Sequence, residues 1–368
     1  MEDVYMPTQS NITSNRVVYG LMLLLGGLIL ALWLTSHQSV LQADESVAVD
    51  NKWINSTIAV SETLTQTNDI WLPLIIRPFE GDGLSGSFRT SVTPAAEDDF
   101  SSTEFSLWIP EDVAVVRGVI MYGPGCGASS LGNKPQKQRA ELAEKWDLAF
   151  LGVQFKDKSG GRFCGWSRAE RSGSAEATLQ ALQAFAEETS RPELVNAPWL
   201  TFRMSVGAGW AMEMTILYPE RTIGASPRSA SSNRGTIANA YQVPIMMSAG
   251  ENDGFLVGMS KIFNEHRSQG ALWSFAVTPN ERHTLGKAWD MALPFFDVVL
   301  AQRLPPVSST DKPIILLPLE RSEAWVGNNT TQEIASVSGY SGDTSTASWL
   351  SDEETAKLWQ SFIKTGFK

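Results

Sequence analysis

A serine between an apolar strand and an apolar helix is the first candidate for chemistry. The segment WLTFRMSVGAGWAM, Trp199 to Met212, places Ser205 at this junction, with small residues after it. A strand–serine–helix turn is typical of a nucleophile elbow, which lifts the hydroxyl above the edge of a sheet. The G-x-S-x-G pattern is incomplete, because Arg203 stands two residues before the serine. The alternative interpretation is that Ser205 only caps the following helix.

A serine nucleophile needs a base, and the chain has only three histidines. His37 lies beside an apolar N-terminal segment, and His266 lies among polar residues near the end of a predicted helix, where a solvated or dipole-compensating role is expected. His283 follows the apolar run LWSFAVTP, at the carboxyl edge of the predicted sheet. Open α/β sheets place their sites at that edge, so His283 is predicted to be the base.

An acid should orient this histidine, and the loop GENDGF supplies two candidates after the strand VPIMMSAG. We predict that Asp253 is the acid, so that the order along the chain is Ser205, Asp253, His283. The alternatives are that Glu251 takes this role, or that Asp253 is a structural, helix-capping residue.

The segment GPGCGASS, with three glycines in five residues, follows the strand RGVIMYG. Backbone N–H groups of such a loop can face the oxyanion that forms during acyl transfer. We predict one donor at Gly125 or Cys126 and the other at Val206, although an ordinary tight turn is the alternative for this loop. No histidine is placed to activate Cys126 as a nucleophile. A disulfide to Cys164, in SGGRFCGWS, is the favoured role if the Cα atoms lie within about 7 Å.

Three further side chains are candidates for a substrate pocket. Trp166 and Trp210 either line an acyl or aromatic pocket or belong to the core. Arg203 either distorts the elbow or points into the pocket and selects an anionic substrate. No metal site and no cofactor is predicted, because two cysteines and three histidines are too few for a Cys-rich or His-rich metal cluster.

From Phe105 onward, short apolar runs alternate with longer amphipathic stretches. This alternation predicts a doubly wound, mostly parallel sheet with helices on both faces. The predicted helices are Gln138 to Trp146, Ser174 to Thr189, Ala208 to Tyr218, around Lys261 to Arg267, and Trp289 to Arg303. Residues 305–368 are predicted to form an appendage, with a strand IILLP and a final helix capped by Ser351.

The run Val17 to Leu34 has 18 uncharged residues and would span about 27 Å as a helix. An uncleaved signal anchor is predicted, and a cleaved signal or a buried core helix is the alternative. Arg16 on the near flank places the N-terminus in the cytoplasm, so that the remainder is membrane-anchored outside it or secreted. The predicted divisions are a tail at 1–16, an anchor at 17–34, a linker at 35–70, a catalytic domain at 71–304 and the appendage at 305–368.

Composition excludes several classes of protein. Of the 368 residues, 43% are hydrophobic, which is enough to build a folded core. The formal net charge is −11, with 29 Lys and Arg against 40 Asp and Glu, so no nucleic-acid partner is predicted.

The GPGCG loop, the Ser205 elbow followed by YPERTIGAS, the GEND loop and the RHTLG loop together resemble the α/β-hydrolase superfamily. Within it they are similar to secreted bacterial esterases of the dienelactone-hydrolase and polyhydroxybutyrate-depolymerase-like kind, over about Phe105 to Leu304. Arg203 and Met204 replace the Gly and the common His before the nucleophile. Pro124 stands where such proteins often have His.

The resemblance implies an α/β-hydrolase fold with Ser205 as nucleophile, Asp253 as acid and His283 as base. It also implies oxyanion donors near Gly125, Cys126 and Val206. The expected function is hydrolysis of a small-molecule or polymeric carboxylic ester through an acyl-enzyme, without a cofactor. A non-catalytic binding protein on the same fold and a serine peptidase are the alternatives.

Overall fold

One sheet of eight strands forms the centre of the molecule. In the computed structural model the described residues are 83–160, 163–230, 237–306 and 312–366. The predicted anchor at 17–34 and linker at 35–70 lie outside these residues. Within the described ranges, every helix is too short or too polar to cross a membrane.

The strands lie in the spatial order β1-β2-β4-β3-β5-β6-β7-β8. Strand β2 runs antiparallel to its neighbours β1 and β4, and the strands from β4 to β8 are mutually parallel. The strands are β1 Gly86–Val92, β2 Phe100–Ile109, β3 Gly118–Tyr122, β4 Leu148–Asp157, β5 Trp199–Met204, β6 Thr222–Arg228, β7 Ile245–Gly250 and β8 Trp273–Thr278. This mostly parallel α/β sheet confirms the predicted class of fold.

The burial of the strands follows from their sequences. Every residue of β6 and β7 is buried, as expected for central parallel strands covered on both faces. Strand β1, GSFRTSV, alternates between partly buried and exposed residues and forms one edge of the sheet. Sequence analysis missed β1, because it has few apolar residues and only one covered face.

Helices cover both faces of the sheet. The long helices are α1 Lys137–Trp146, α2 Ser174–Thr189, α3 Val206–Leu217, α4 Leu256–Arg267, α5 Ala288–Arg303 and α6 Glu353–Thr365. On β3, Val119 and Met121 belong to the apolar cluster that includes α2 and α3, while Ile120 belongs to the cluster that includes α1 and α5. Successive residues of one strand thus point into two cores, which makes the sheet doubly wound.

The C-terminal residues form a small sheet of three-residue strands, followed by α6. The strands of this small sheet lie in the spatial order β10-β9-β11. They are β9 Trp325–Gly327, β10 Ile334–Ser336 and β11 Ser348–Leu350. Hydrogen bonds join it to the main sheet, since Trp359 Nε1 donates to Phe275 O at 2.9 Å and Phe275 N donates to Ser348 Oγ at 2.9 Å.

Two predictions for this region were wrong. The segment IILLP forms no strand, and Ile315 within it is exposed, so this apolar run is not matched by a neighbouring strand. The cap of α6 is Asp352, whose Oδ1 accepts from Thr355 N at 2.7 Å. Ser351 is buried beside the helix, and its hydroxyl bonds to Thr355 Oγ1 instead.

Candidate active site

Ser205 occupies a tight turn between β5 and α3. Its φ of 61° and ψ of −132° are unusual for a residue other than glycine, and such backbone conformations cost on the order of 1–3 kcal/mol. The Ser205 side chain makes no capping hydrogen bond to α3. The strained backbone therefore presents the hydroxyl without using it to satisfy the helix, in contrast to the cap interpretation.

Gly207 allows this turn to form despite Arg203. A Cβ at position 207 would overlap both Pro124 O and Arg203 Cγ. The methylene groups of Arg203 thus pack against the bare backbone of Gly207. Gly207, two residues after Ser205, leaves the space that the stem of Arg203 occupies two residues before the serine.

Asp253 and His283 form a hydrogen-bonded pair at the carboxyl edge of the sheet. The distances from His283 Nδ1 to Asp253 Oδ1 and Oδ2 are 3.2 and 3.1 Å. The Asp253 side chain is fully buried, while that of His283 is 37% exposed. Phe255 N donates to Asp253 Oδ1 at 2.9 Å, and the Phe255 ring packs against the imidazole. Glu251 Oε2 accepts instead from Asn280 N at 2.8 Å.

The surroundings of Asp253 favour its ionised form. Burial alone would raise the pKa of this carboxyl, but Ser229, the Phe255 N–H group and His283 together lower the pKa below its ordinary value. Ser229 Oγ is buried, and no hydrogen bond within ordinary limits of distance and angle joins it to the described residues. An ionised Asp253 fixes the imidazole so that Nε2 is directed away from the acid.

Arg228 connects the elbow to the histidine loop. It ends β6, and its carbonyl oxygen accepts from Ser205 N at 2.9 Å. Its side chain, which is fully buried, donates to Thr284 O at 2.8 Å, to Thr278 Oγ1 at 2.9 Å and to Glu281 Oε2. Burial lowers the pKa of Arg228, while the charges of Glu281 and Asp253 oppose that shift. One residue thereby bonds to the backbone on both sides of the candidate site.

The loop after β3 lies against the elbow. Among the described residues, the N–H groups of Gly125 and Val206 have no acceptor, so both are available to an oxyanion. A disulfide joins Cys126 in this loop to Cys164, with the Cα atoms 5.7 Å apart. A Cβ on Gly123 would lie 2.9 Å from Trp210 Cε3, so the start of the loop rests on that indole.

Ser205 and His283 are not hydrogen-bonded to each other in the part of the chain that the structure describes. The acid–histidine pair and the elbow are each formed, and they are connected through Arg228.

No protein-family model matches the chain, and no curated protein sequence matches it. The strand order of the eight-stranded sheet fits the α/β-hydrolase fold expected from the sequence.

Solved structures similar to this chain include a cold-adapted esterase from an Arctic intertidal metagenomic library, at 14% identity and a TM-score of 0.37. The match covers 58% of this chain and 93% of the esterase. A ferulic acid esterase matches at 11% identity and a TM-score of 0.42, over 59% of this chain and 99% of its own. An S-formylglutathione hydrolase from Staphylococcus aureus matches at 10% identity and a TM-score of 0.42, over 57% and 98%.

Both tryptophans proposed for the substrate pocket are core residues. Trp166 and Trp210 have no exposed surface, and both contact the ring of Phe155. Both belong to the apolar cluster that includes residues of α2 and α3. Their indole N–H groups have no partner among the described residues.

The remaining predicted residues are placed as follows. The Arg203 guanidinium lies 4.5 Å above the ring of Tyr122, at the end of β3. His266 is buried, unlike the solvated position expected for it, because it packs on Trp273 and its Nδ1 bonds to the Tyr241 hydroxyl. No group of three or more potential metal ligands occurs in the described ranges.

Arg228 is a residue of the site that sequence analysis missed. The predicted strand stopped at TIGAS, two residues before it. An arginine at the carboxyl end of a central strand is a usable signal, since burial obliges such a side chain to find acceptors for its N–H groups.

Proposed function

We propose that this protein is a serine hydrolase that cleaves carboxylic esters. The observation that carries the proposal is the connection made by Arg228. This residue binds Ser205 N through its backbone and the histidine loop through its guanidinium, while Asp253 holds His283 Nδ1. This arrangement supports roles for Ser205, His283 and Asp253 as nucleophile, base and acid.

In the proposed reaction, Ser205 Oγ attacks the carbonyl carbon of the ester and His283 Nε2 accepts the hydroxyl proton. The ionised Asp253 stabilises the imidazolium. The N–H groups of Gly125 or Cys126 and of Val206 donate to the oxyanion. The C–O bond to the alcohol breaks as the imidazolium returns the proton, and water then hydrolyses the acyl-enzyme by the reverse sequence.

A non-catalytic binding protein on the same fold is the second candidate. The missing hydrogen bond between Ser205 and His283 and the presence of Arg203 in the elbow favour it. The hydrolase requires Ser205 to approach His283 when a substrate binds, whereas the binding protein does not.

Hydrolysis of neutral 4-nitrophenyl esters distinguishes these candidates. We expect wild type to hydrolyse the acetate and butyrate, and Ser205→Ala to lose about 10³-fold or more in kcat. His283→Ala should lose a comparable amount. A wild-type rate no higher than that of Ser205→Ala would leave the binding protein as the better account. A parallel panel of 4-nitroanilide peptides tests the peptidase alternative.

We further propose that the domain acts outside the cytoplasm, on small-molecule or polymeric esters. The Cys126–Cys164 disulfide supports this location, since such bonds persist in oxidising compartments. The apolar segment at 17–34 supports a membrane anchor.

A further inference from the structure

We infer that Arg139 and Arg203 form an anion subsite beside Ser205, which selects esters that carry a carboxylate elsewhere in the molecule. The inference deepens the proposed hydrolase function and rests on it. Four observations lead to it: the shared aromatic ring, the position next to the nucleophile, the missing acidic partners and the mutual repulsion of the two cations.

The two guanidinium groups share one aromatic ring. Arg203 Cζ lies 4.5 Å from the centroid of the Tyr122 ring, and Arg139 Cζ lies 5.3 Å from the same centroid. Arg139 also lies 4.3 Å from the ring of Trp289, at the start of α5. The aromatic faces hold the flat guanidinium groups from one side and leave their N–H edges available.

This pair borders the candidate catalytic residues. Tyr122 directly precedes the Gly-rich loop, and Arg203 is two residues from Ser205. Arg203 Nη2 lies 3.4 Å from the point where a Cβ at Gly125 would be. A substrate whose carbonyl oxygen faces the Gly125 amide therefore extends past at least one cation.

Neither guanidinium is neutralised within the described residues. No carboxylate forms an ion pair with Arg139 or Arg203 there, and neither side chain donates a hydrogen bond. Arg191 and Arg228, in contrast, each pair with a glutamate. Both unpaired cations lie against the Tyr122 ring, although the chain carries 40 acidic residues.

Their proximity has an electrostatic cost that an anion would relieve. Partial burial lowers the pKa of Arg139, Tyr122 opposes this shift, and the like charge of Arg203 adds to it. A carboxylate accepts two parallel N–H bonds from one guanidinium, and the charge of the second guanidinium adds to the attraction. This chemistry identifies the ligand as a planar anion attached to the ester.

The test compares two aryl esters that differ in one charge, mono-4-nitrophenyl glutarate and its neutral methyl ester. Release of 4-nitrophenolate reports cleavage of the same bond in both. We expect the ratio of kcat/KM for the anionic ester over the neutral one to fall about tenfold in Arg203→Gln and in Arg139→Gln, mainly through KM, as loss of a charge-assisted bond predicts. Arg203→Lys should be intermediate, because it keeps the charge and loses the planar fork.

Arg89→Gln is the matched control, since it removes the same charge from β1 at the edge of the sheet, where Arg89 pairs with Glu104. Its ratio should equal that of wild type. Thermal unfolding of each variant verifies that it is folded. An unchanged ratio in the folded double variant Arg139→Gln/Arg203→Gln, with Ser205-dependent hydrolysis intact, would overturn the subsite and leave the hydrolase proposal standing.

Calorimetric titration with glutarate tests the subsite independently of turnover. Wild type and Arg89→Gln should bind glutarate with a Kd on the order of millimolar, and the double variant at least about tenfold more weakly. Absence of saturable binding to wild type would overturn the subsite, even if neither ester is hydrolysed. Binding without hydrolysis would support the subsite and refute the hydrolase.

Discussion

Two arginines lie at or near the ends of neighbouring strands beside Ser205, and their surroundings differ. Arg228, at the end of β6, is fully buried, and its N–H groups donate to Glu281, to Thr278 and to the histidine loop. Arg203, near the end of β5, is partly buried, packs its stem on Gly207 and presents its guanidinium over Tyr122. A residue type thus indicates little by itself. Burial and the available acceptors determine whether an arginine holds the protein together or faces a ligand.

The largest expected effect is a difference in stability between the variants that remove each arginine's charge. Arg228→Gln leaves Glu281 without its buried partner, so we expect the free energy of unfolding in urea to fall by about 3–5 kcal/mol. Arg203→Gln should cost less than about 1 kcal/mol, as is usual away from buried pairs. Equal losses in the two variants would contradict the assignment of different roles.

Arg228 is a positioning residue, so its effect on activity should exceed its effect on substrate binding. At a temperature where Arg228→Gln is folded, we expect kcat on a neutral ester to fall with little change in KM. The conservative variant Arg228→Lys should recover part of kcat. A variant with lower stability and unchanged kcat would reduce Arg228 to a purely structural residue.

The next prediction concerns Gly207, against which the stem of Arg203 packs. Gly207→Ala introduces a methyl group that overlaps Pro124 O and Arg203 Cγ, so we expect a loss of about 1–3 kcal/mol, as for overpacked sites, and a large loss of hydrolysis. Gly258→Ala, in the first turn of α4, meets open space and should stabilise by about 0.5–1 kcal/mol. Chemical denaturation of both variants measures the contrast.

A double substitution sharpens this prediction. Adding Arg203→Gly to Gly207→Ala removes the contact with Arg203 Cγ but leaves the overlap with Pro124 O. The double variant should therefore recover only part of the lost stability. Full recovery would mean that the arginine stem alone determines how tight the elbow is.

The smallest expected effect is a pH dependence of the free energy of unfolding that comes from Asp253. Since the pKa of Asp253 is lower in the folded protein than the ordinary 3.8, its ionised form stabilises the fold. That contribution is complete above the ordinary value and is lost as the pH falls through the lower, folded value. The free energy of unfolding of wild type should thus decrease more steeply below pH 3.8 than that of Asp253→Asn.

The central strands and long helices could be predicted from the sequence because their apolar patterns are long and continuous. Helix α2 has the predicted bounds, and α5 begins one residue early. The three-residue strands of the C-terminal sheet are too short to give a pattern. The run IILLP satisfied the apolar criterion without a neighbouring strand to pair with, so it was predicted wrongly.

The candidate site was predictable only in part, for a physical reason. Positions after successive parallel strands indicated that Ser205, Asp253 and His283 share one edge of the sheet. Which of Asp253 and Glu251 turns toward the histidine depends on loop hydrogen bonds that span 30 residues in sequence. Arg228 depends likewise on acceptors 50 to 56 residues away, which no local pattern encodes.

The central claim is that Ser205 is an activated nucleophile, and covalent labelling with a fluorophosphonate tests it most directly. The account predicts one phosphonyl group per molecule, mapped by mass spectrometry to the peptide containing Ser205. Labelling should be lost in Ser205→Ala and slowed strongly in His283→Ala, because the imidazole must accept the hydroxyl proton. Wild type that reacts no faster than Ser205→Ala, or an adduct mapped to another residue, would contradict the account.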